Sequence, residues 1–285
     1  MKRGEKNRES AALRFLYGTA LGRVLLRPLC SRWFSKLAGA LLDRPASRLL
    51  IRSFVRRQGI DLGDYVPARY ASFNDFFCRR IRPEQRPVDQ NPAALIAPCD
   101  GLLSAYPVEQ GVVIPAKQSR YTLAQLLGSQ ALAAPFSGGW CLVFRLAVRH
   151  YHRYCFPDNG VIADYGFLPG VLHTVRPVAL ARGPVFCQNC RAYTVLEAVH
   201  LGHAVQLEVG AMLVGRIVNR KQTGAFARGE EKGLFQYGGS TVILLLEPGR
   251  ITLDAALLRA SRQGRETPVR QRRSPVRTGL LSASA

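Results

Sequence analysis

The sequence predicts an α+β protein with a mainly antiparallel β-sandwich or barrel-like body behind an N-terminal basic amphipathic helical region. Two observations carry this expectation. Apolar residues recur at helical spacing before residue 60, and short β-branched runs alternate with Gly and Pro turns after about residue 93. A third observation sets the scale. A 285-residue chain that is 47% hydrophobic and 21% charged can bury a full core without disulfide or metal staples.

The helices come first. Leu13, Leu16, Tyr17, Ala20, Leu21, Val24 and Leu25 form one stripe, with Arg14, Arg23 and Arg27 off it. Residues 33–55 repeat the mixture of Leu, Ala, Phe and Arg after Pro28. Such helices suit a membrane interface, apolar face down and Arg toward phosphates, and suit ordinary docking equally well. SFNDFFCRR, residues 72–80, reads as one more short helix with a Ser or Asn cap.

The strands follow. The expected runs are residues 94–97, 102–108, 112–116, 140–148, 160–165, 171–175, 192–199, 204–209, 212–218, 241–247 and 251–253. Residues 259–285, rich in Arg, Ser and Pro, read as a disordered tail. The domain plan is therefore a helical region over 1–64, a body over 65–258 and that tail.

Charge is concentrated at the two ends. Of 40 Lys and Arg, 14 lie in residues 1–60 and 7 in residues 259–285, so most of the net +21 sits outside the body. The pattern fits attraction to a polyanionic surface or solvated tails. Arg14, Arg23, Arg27 and Arg32 interrupt every early apolar run, which argues against a signal peptide. The uncharged stretch 121–144 is broken by Pro135, Gly138 and Gly139, which argues against a membrane span there. Seven Cys, mostly scattered singly, fit reduced thiols. Cys187 and Cys190 form one C-x-x-C, with His200 and His203 ten residues on, too thin a set for zinc to be expected. Neither a zinc-finger nor an RNA-binding signature accompanies the basic ends, so nucleic acid is not the expected partner.

The chemistry is carried by scattered residues. YGGSTV, residues 237–242, puts Ser240 after two Gly. A turn entering a strand is the plain reading. The chemical one is attack of the Ser hydroxyl on its own preceding carbonyl, which Gly torsions permit. That step needs a base such as a His, oriented by a carboxylate as in a Ser-His-Asp relay. RHYHRYCFP, residues 149–157, supplies His150 and His152 on one face of an extended segment, and APCDG, residues 97–101, supplies Asp100.

Taken together, APCDG, YHRY with FP (151–157), EVGAMLVGRIVN (208–219) and GEEKGLFQYGGSTVILL (229–245) resemble phosphatidylserine decarboxylase. The match runs from about Tyr65 to Ile251 and includes YTLAQLLG, FSGGWCLVFRL and GVLHTVRPVAL in order. The GGST form is similar to the shorter bacterial-type branch.

The resemblance implies a proenzyme that cuts itself between Gly239 and Ser240, giving a β chain of 1–239 and an α chain of 240–285. Ser240 would become a pyruvoyl group, the cofactor, which forms a Schiff base with the substrate amine. The conjugated carbonyl would take the electron pair released with CO2, turning phosphatidylserine into phosphatidylethanolamine. The relay would be Asp100, His152 and Ser240. Many relatives carry a second His where this chain has Cys155, and an acidic residue where it has His150. His173, in GVLHTV, is the rival base. Phosphatidylserine in an anionic membrane surface is the expected partner, reached from the cytoplasmic side of the cell membrane, and a homo-oligomer is compatible with the sequence. The readings left open are a processed family member without decarboxylase activity, a serine hydrolase and, outside enzymes, a basic nucleic-acid-binding protein.

Overall fold

The structure is a computed structural model that describes residues 11–91, 94–109, 121–212, 216–238, 240–274 and 279–280. Gly239 and the expected strand 112–116 lie outside the described residues.

Four helices lead the chain: α1 (Ala11–Gly18), α2 (Ala20–Leu29), α3 (Arg32–Asp43) and α4 (Leu49–Gln58). Thr19 and Ser31 cap α2 and α3 by accepting from Gly22 N and Phe34 N, which satisfies otherwise orphan donors. Gly22 lets α2 cross α1 closely, since a Cβ there would lie 2.2 Å from Phe15 O. The inward stripe is short: Tyr17 and Leu26 are buried, with Leu13 and Leu16 packed beside them. The outward stripe is apolar too. Leu21, Val24, Leu25, Trp33, Leu37, Leu41, Leu49 and Leu50 are exposed, Trp33 by 72% and Leu49 by 85%. No helix among the described residues is long and apolar enough to cross a membrane.

The fifth helix, α5 (Phe73–Phe77), is capped by Ser72, as its sequence suggests. The body is then built on an eight-stranded sheet. Its strands are β1 (Gly101–Pro107), β2 (Trp140–Leu146), β4 (Gly160–Leu168), β5 (Arg191–Ala198), β6 (Gly202–Val209), β8 (Gly224–Phe226), β10 (Ser240–Leu246) and β12 (Thr267–Val269). Their order is β12-β1-β2-β10-β6-β5-β4-β8, and every ladder is antiparallel. A three-stranded sheet covers one face, in the order β3-β9-β7, from β3 (Arg153–Cys155), β7 (Ile217–Asn219) and β9 (Glu231–Phe235). Helices α6 (Leu123–Leu127), α7 (Gln130–Ala133), α8 (Pro177–Leu180) and α9 (Val185–Gln188) cover the other face. Strand alternation divides β10 accordingly: Val242, Leu244 and Leu246 face the small sheet, Ile243 and Leu245 the helices. A short pair, β11 (Ile251–Thr252) with β13 (Gly279–Leu280), and helix α10 (Ala255–Arg262) complete the chain.

The α+β sandwich is therefore as expected, with three corrections. Residues 259–274 are not a disordered tail. Helix α10 buries Leu257 against the sandwich core, its Ser261 Oγ accepts from Ala105 N at 3.0 Å, and β12 pairs with β1. Residues 94–97 are buried but form no ladder, because Ala97 exchanges backbone bonds with Arg272 and Arg273. Residues 171–175 keep a single bridge at Val171, since Leu172 N donates to Cys30 O and His173 N to Asn189 Oδ1.

Candidate active site

Ser240 opens β10, fully buried, with its hydroxyl on the face toward the small sheet. Two residues earlier Gly238 holds φ at +128°, a conformation closed to residues with a Cβ. Its neighbour Tyr237 is clamped by α5. The Tyr237 N–H donates to Asn74 Oδ1 at 3.2 Å, and its ring meets Phe73 and Phe77 edge-on, both at 5.2 Å. Asn74 in turn donates to Asp43 Oδ1 at 2.7 Å, which ties α5 to α3.

His152 lies just before β3, 1% exposed, with its ring 4.2 Å from that of Phe77. Its Nδ1 is 3.4 Å from Ser240 Oγ, and its Nε2 is 3.1 Å from Ala147 O. A carbonyl only accepts, so Nε2 carries the proton and Nδ1 turns its lone pair to the hydroxyl. Burial, then the positive charge of Arg79 and the neighbouring His150, hold the His152 pKa well below the usual histidine range. The ring is thus neutral at pH 7 and able to accept a proton.

The structure brings His152 and Ser240 together, but Asp100 stands apart. Arg86 grips its carboxylate with two bonds, Nε to Oδ1 at 3.0 Å and Nη2 to Oδ2 at 2.7 Å. Gln271 N donates to the same Oδ1 at 2.8 Å. Asp100 makes no hydrogen bond to His152 among the described residues. Its charge instead reaches His150, whose pKa is nonetheless lowered to about 4 by burial and Arg149. Orientation of His152, the task expected of a carboxylate, falls to a backbone carbonyl.

Cys155 and His173 are elsewhere. The Cys155 thiol is fully buried against Ala97 O and the Gln271–Arg272 segment, and burial pushes it up to about 12, so it is no base. His173 lies under the helix-covered face, where its Nδ1 meets Tyr17 Oη at 3.2 Å and Cys30 Sγ at 3.3 Å. It lines a cavity of about 400 Å³ with Tyr17, Arg23, Leu26, Arg182 and Gln188 among others. No carboxylate is in the lining, and neither arginine has an acidic partner among the described residues. The cavity is not at the Ser240 hydroxyl. It does share that end of the sheet: Asn189 Nδ2 donates to both His173 O and Gly210 O, and Val209 pairs with Thr241.

A buried polar cluster lies between the sheets. Lys232 Nζ meets Glu208 Oε2 at 2.8 Å and Asn219 Oδ1 at 2.9 Å, and Tyr154 Oη donates to the same Asn219 oxygen at 3.0 Å. Both charged side chains are fully buried. Sequence reasoning missed Ala147, Asn74, Phe77 and this cluster. A backbone carbonyl leaves no signal in a sequence, whereas the aromatic run in SFNDFF could have drawn attention to α5.

Comparison with known proteins identifies the family. The family model described as phosphatidylserine decarboxylase matches residues 73–265. The chain is similar to phosphatidylserine decarboxylase proenzyme 2 of Clostridium acetobutylicum, 39% identical over 93% of this chain and 91% of the relative. It is 36% identical to the proenzyme of Clostridium botulinum strain 657, over 90% of this chain and 89% of the relative. The proenzyme of Chlamydia muridarum is also 36% identical, over 93% and 90%. A family match over most of the chain and relatives this similar along nearly its whole length show that the chain belongs to the phosphatidylserine decarboxylase family of enzymes.

Proposed function

We propose that this chain is a proenzyme that cuts itself between Gly239 and Ser240, then decarboxylates phosphatidylserine to phosphatidylethanolamine at an anionic membrane surface. The observation that carries this is Ser240 Oγ, buried 3.4 Å from a histidine nitrogen with a free lone pair. His152 accepts the hydroxyl proton as Oγ attacks the Gly239 carbonyl carbon. The Ser240 nitrogen leaves that carbon, takes a proton and becomes a free amine, and the amide becomes an ester. Loss of the Ser240 α-proton expels the Gly239 carboxylate. The dehydroalanine left behind is hydrolysed, releasing ammonia, and a pyruvoyl group remains at the start of β10.

One feature of the pocket suits a group formed in place: Ser240 is sealed from bulk water. The pyruvoyl group supplies an electron sink for the pair released with CO2. His152 Nδ1, with its open lone pair, takes up a proton from solvent and passes it to the substrate carbon, and the Phe77 and Phe73 rings exclude bulk water. The exposed apolar stripe over α2–α4 suits a bilayer.

The test is decarboxylase activity on phosphatidylserine vesicles, with Ser240→Ala as control. Release of CO2 by the native protein and none by the variant is expected. A protein that splits into two chains but releases no CO2 would leave the self-cleavage and remove the decarboxylation.

A further inference from the structure

The residues after β12 form a strap across the loop that carries Asp100. Arg272 N donates to Ala97 O and Ala97 N to Arg273 O, both at 2.9 Å, and Asp89 N donates to Arg272 O at 2.9 Å. Arg272 holds φ at +64°, the one non-glycine residue with positive φ among the described residues. A left-handed conformation is strained for a residue with a Cβ. Its guanidinium is held by Gly229 O at 3.0 Å and Arg86 O at 3.4 Å, which fixes the conformation.

Beneath it lies Gln271, 3% exposed. Its N–H donates to Asp100 Oδ1 at 2.8 Å, and its side-chain Nε2 donates to Pro98 O at 3.2 Å and Arg153 O at 3.1 Å. One amide therefore joins the Asp100 loop to the residue that follows His152. Cys155, farther along the same strand, donates its N–H to Pro98 O at 2.8 Å and packs its thiol against the strap. Gln271 and Ser240 are on the same side of the proposed cut, while every partner of Gln271 is on the other side. The strap is thus attached covalently to the nucleophile and by hydrogen bonds to the strand of the base. It also lies beyond residues 73–265, which the family model matches.

We propose that Gln271 is a positioning residue for self-cleavage, holding the strand of His152 so that Nδ1 stays within reach of Ser240 Oγ. This rests on the self-cleavage reading. The physical reason is proximity. Freeing the strand by about 1 Å is enough to slow a step of this kind on the order of 100-fold.

The experiment follows cell-free synthesis of the full 285-residue chain and times its conversion into two chains. Gln271→Met keeps the length of the side chain and removes its donors. Gln271→Asn keeps a donor on a shorter arm. Conversion at least tenfold slower in the Met variant, with part of the rate recovered in the Asn variant, is the expected result. A second readout separates positioning from bulk stability. With the strand loosened, water reaches His152, which faces Arg79, His150, Phe77, Ser240 and the Ala147 carbonyl, and the acid limb of the cleavage rate moves to higher pH. A Met variant that cleaves at the native rate overturns the proposal. So do two variants equally slow with an unmoved acid limb. A native chain that stays whole overturns the self-cleavage reading together with this one.

Discussion

The 3.4 Å between Ser240 Oγ and His152 Nδ1 is the distance on which the proposed self-cleavage turns. Replacing His152 with Gln removes the base while leaving a polar group of similar reach. Cleavage is expected to slow by about 10²–10⁴-fold, followed as loss of the full-length band. The depressed pKa of His152 also gives a sign. Cleavage is level around neutral pH and falls only on acidification well below the usual histidine range, measured as a rate–pH profile. His150 adds a stability effect of the same sign. Its folded pKa is about 4 against about 6.5 unfolded, so between these values the unfolded chain binds a proton that the folded one does not. Stability therefore declines as pH falls from about 6.5 to about 4, by at most about 1.4 kcal/mol per pH unit, checked by urea unfolding at several pH values. Ser240 and His152 were legible because two motifs carried them. The partner of Asp100 was not. Arg86 stands 14 residues away, and nothing in the spacing says that it takes the carboxylate.

Among the elements, the long strands were readable from β-branched runs, and β3 and β9 were not. EKGLF, the sequence of β9, contains Glu and Lys, which argue for a solvated turn when read alone. Its Lys232 is instead fully buried against Glu208. Burial pulls the Lys232 pKa down, opposed by Glu208, and the pair stands because Asn219 and Gln206 complete its bonds. Removing one partner strands the other charge. Lys232→Met is expected to cost about 3–5 kcal/mol of stability, and adding Glu208→Leu to recover much of it, both read from denaturant midpoints. The C-terminal strap was missed for a related reason. Arg-rich composition signals solvation, whereas Arg272 spends its donors on backbone carbonyls of distant loops.

Across the whole molecule, charge and apolar exposure occupy the same region. Helices α2–α4 carry Arg23, Arg27, Arg32, Arg52, Arg56 and Arg57 beside an exposed stripe that includes Trp33 and Leu49. Each basic residue near an anionic bilayer contributes about 1 kcal/mol, and salt screens it. Sedimentation with phosphatidylserine vesicles is expected to weaken at high salt and to drop sharply in Trp33→Asp. Binding indifferent to both would contradict the membrane reading. Point changes are the right probe, because Tyr17 of α1 and Leu26 of α2 are part of the core and deleting the helices would remove them. The helical region was legible as amphipathic; which stripe faces outward depends on α1 and α2 docking on His173 and Val175, which no local pattern reveals.

Self-cleavage changes covalent structure, and the intact mass of the purified protein under denaturing conditions reads that change. Two chains are expected, the smaller of 46 residues, about 5 kDa, beginning with a pyruvoyl group in place of Ser240. A single species of 31.5 kDa would contradict self-cleavage.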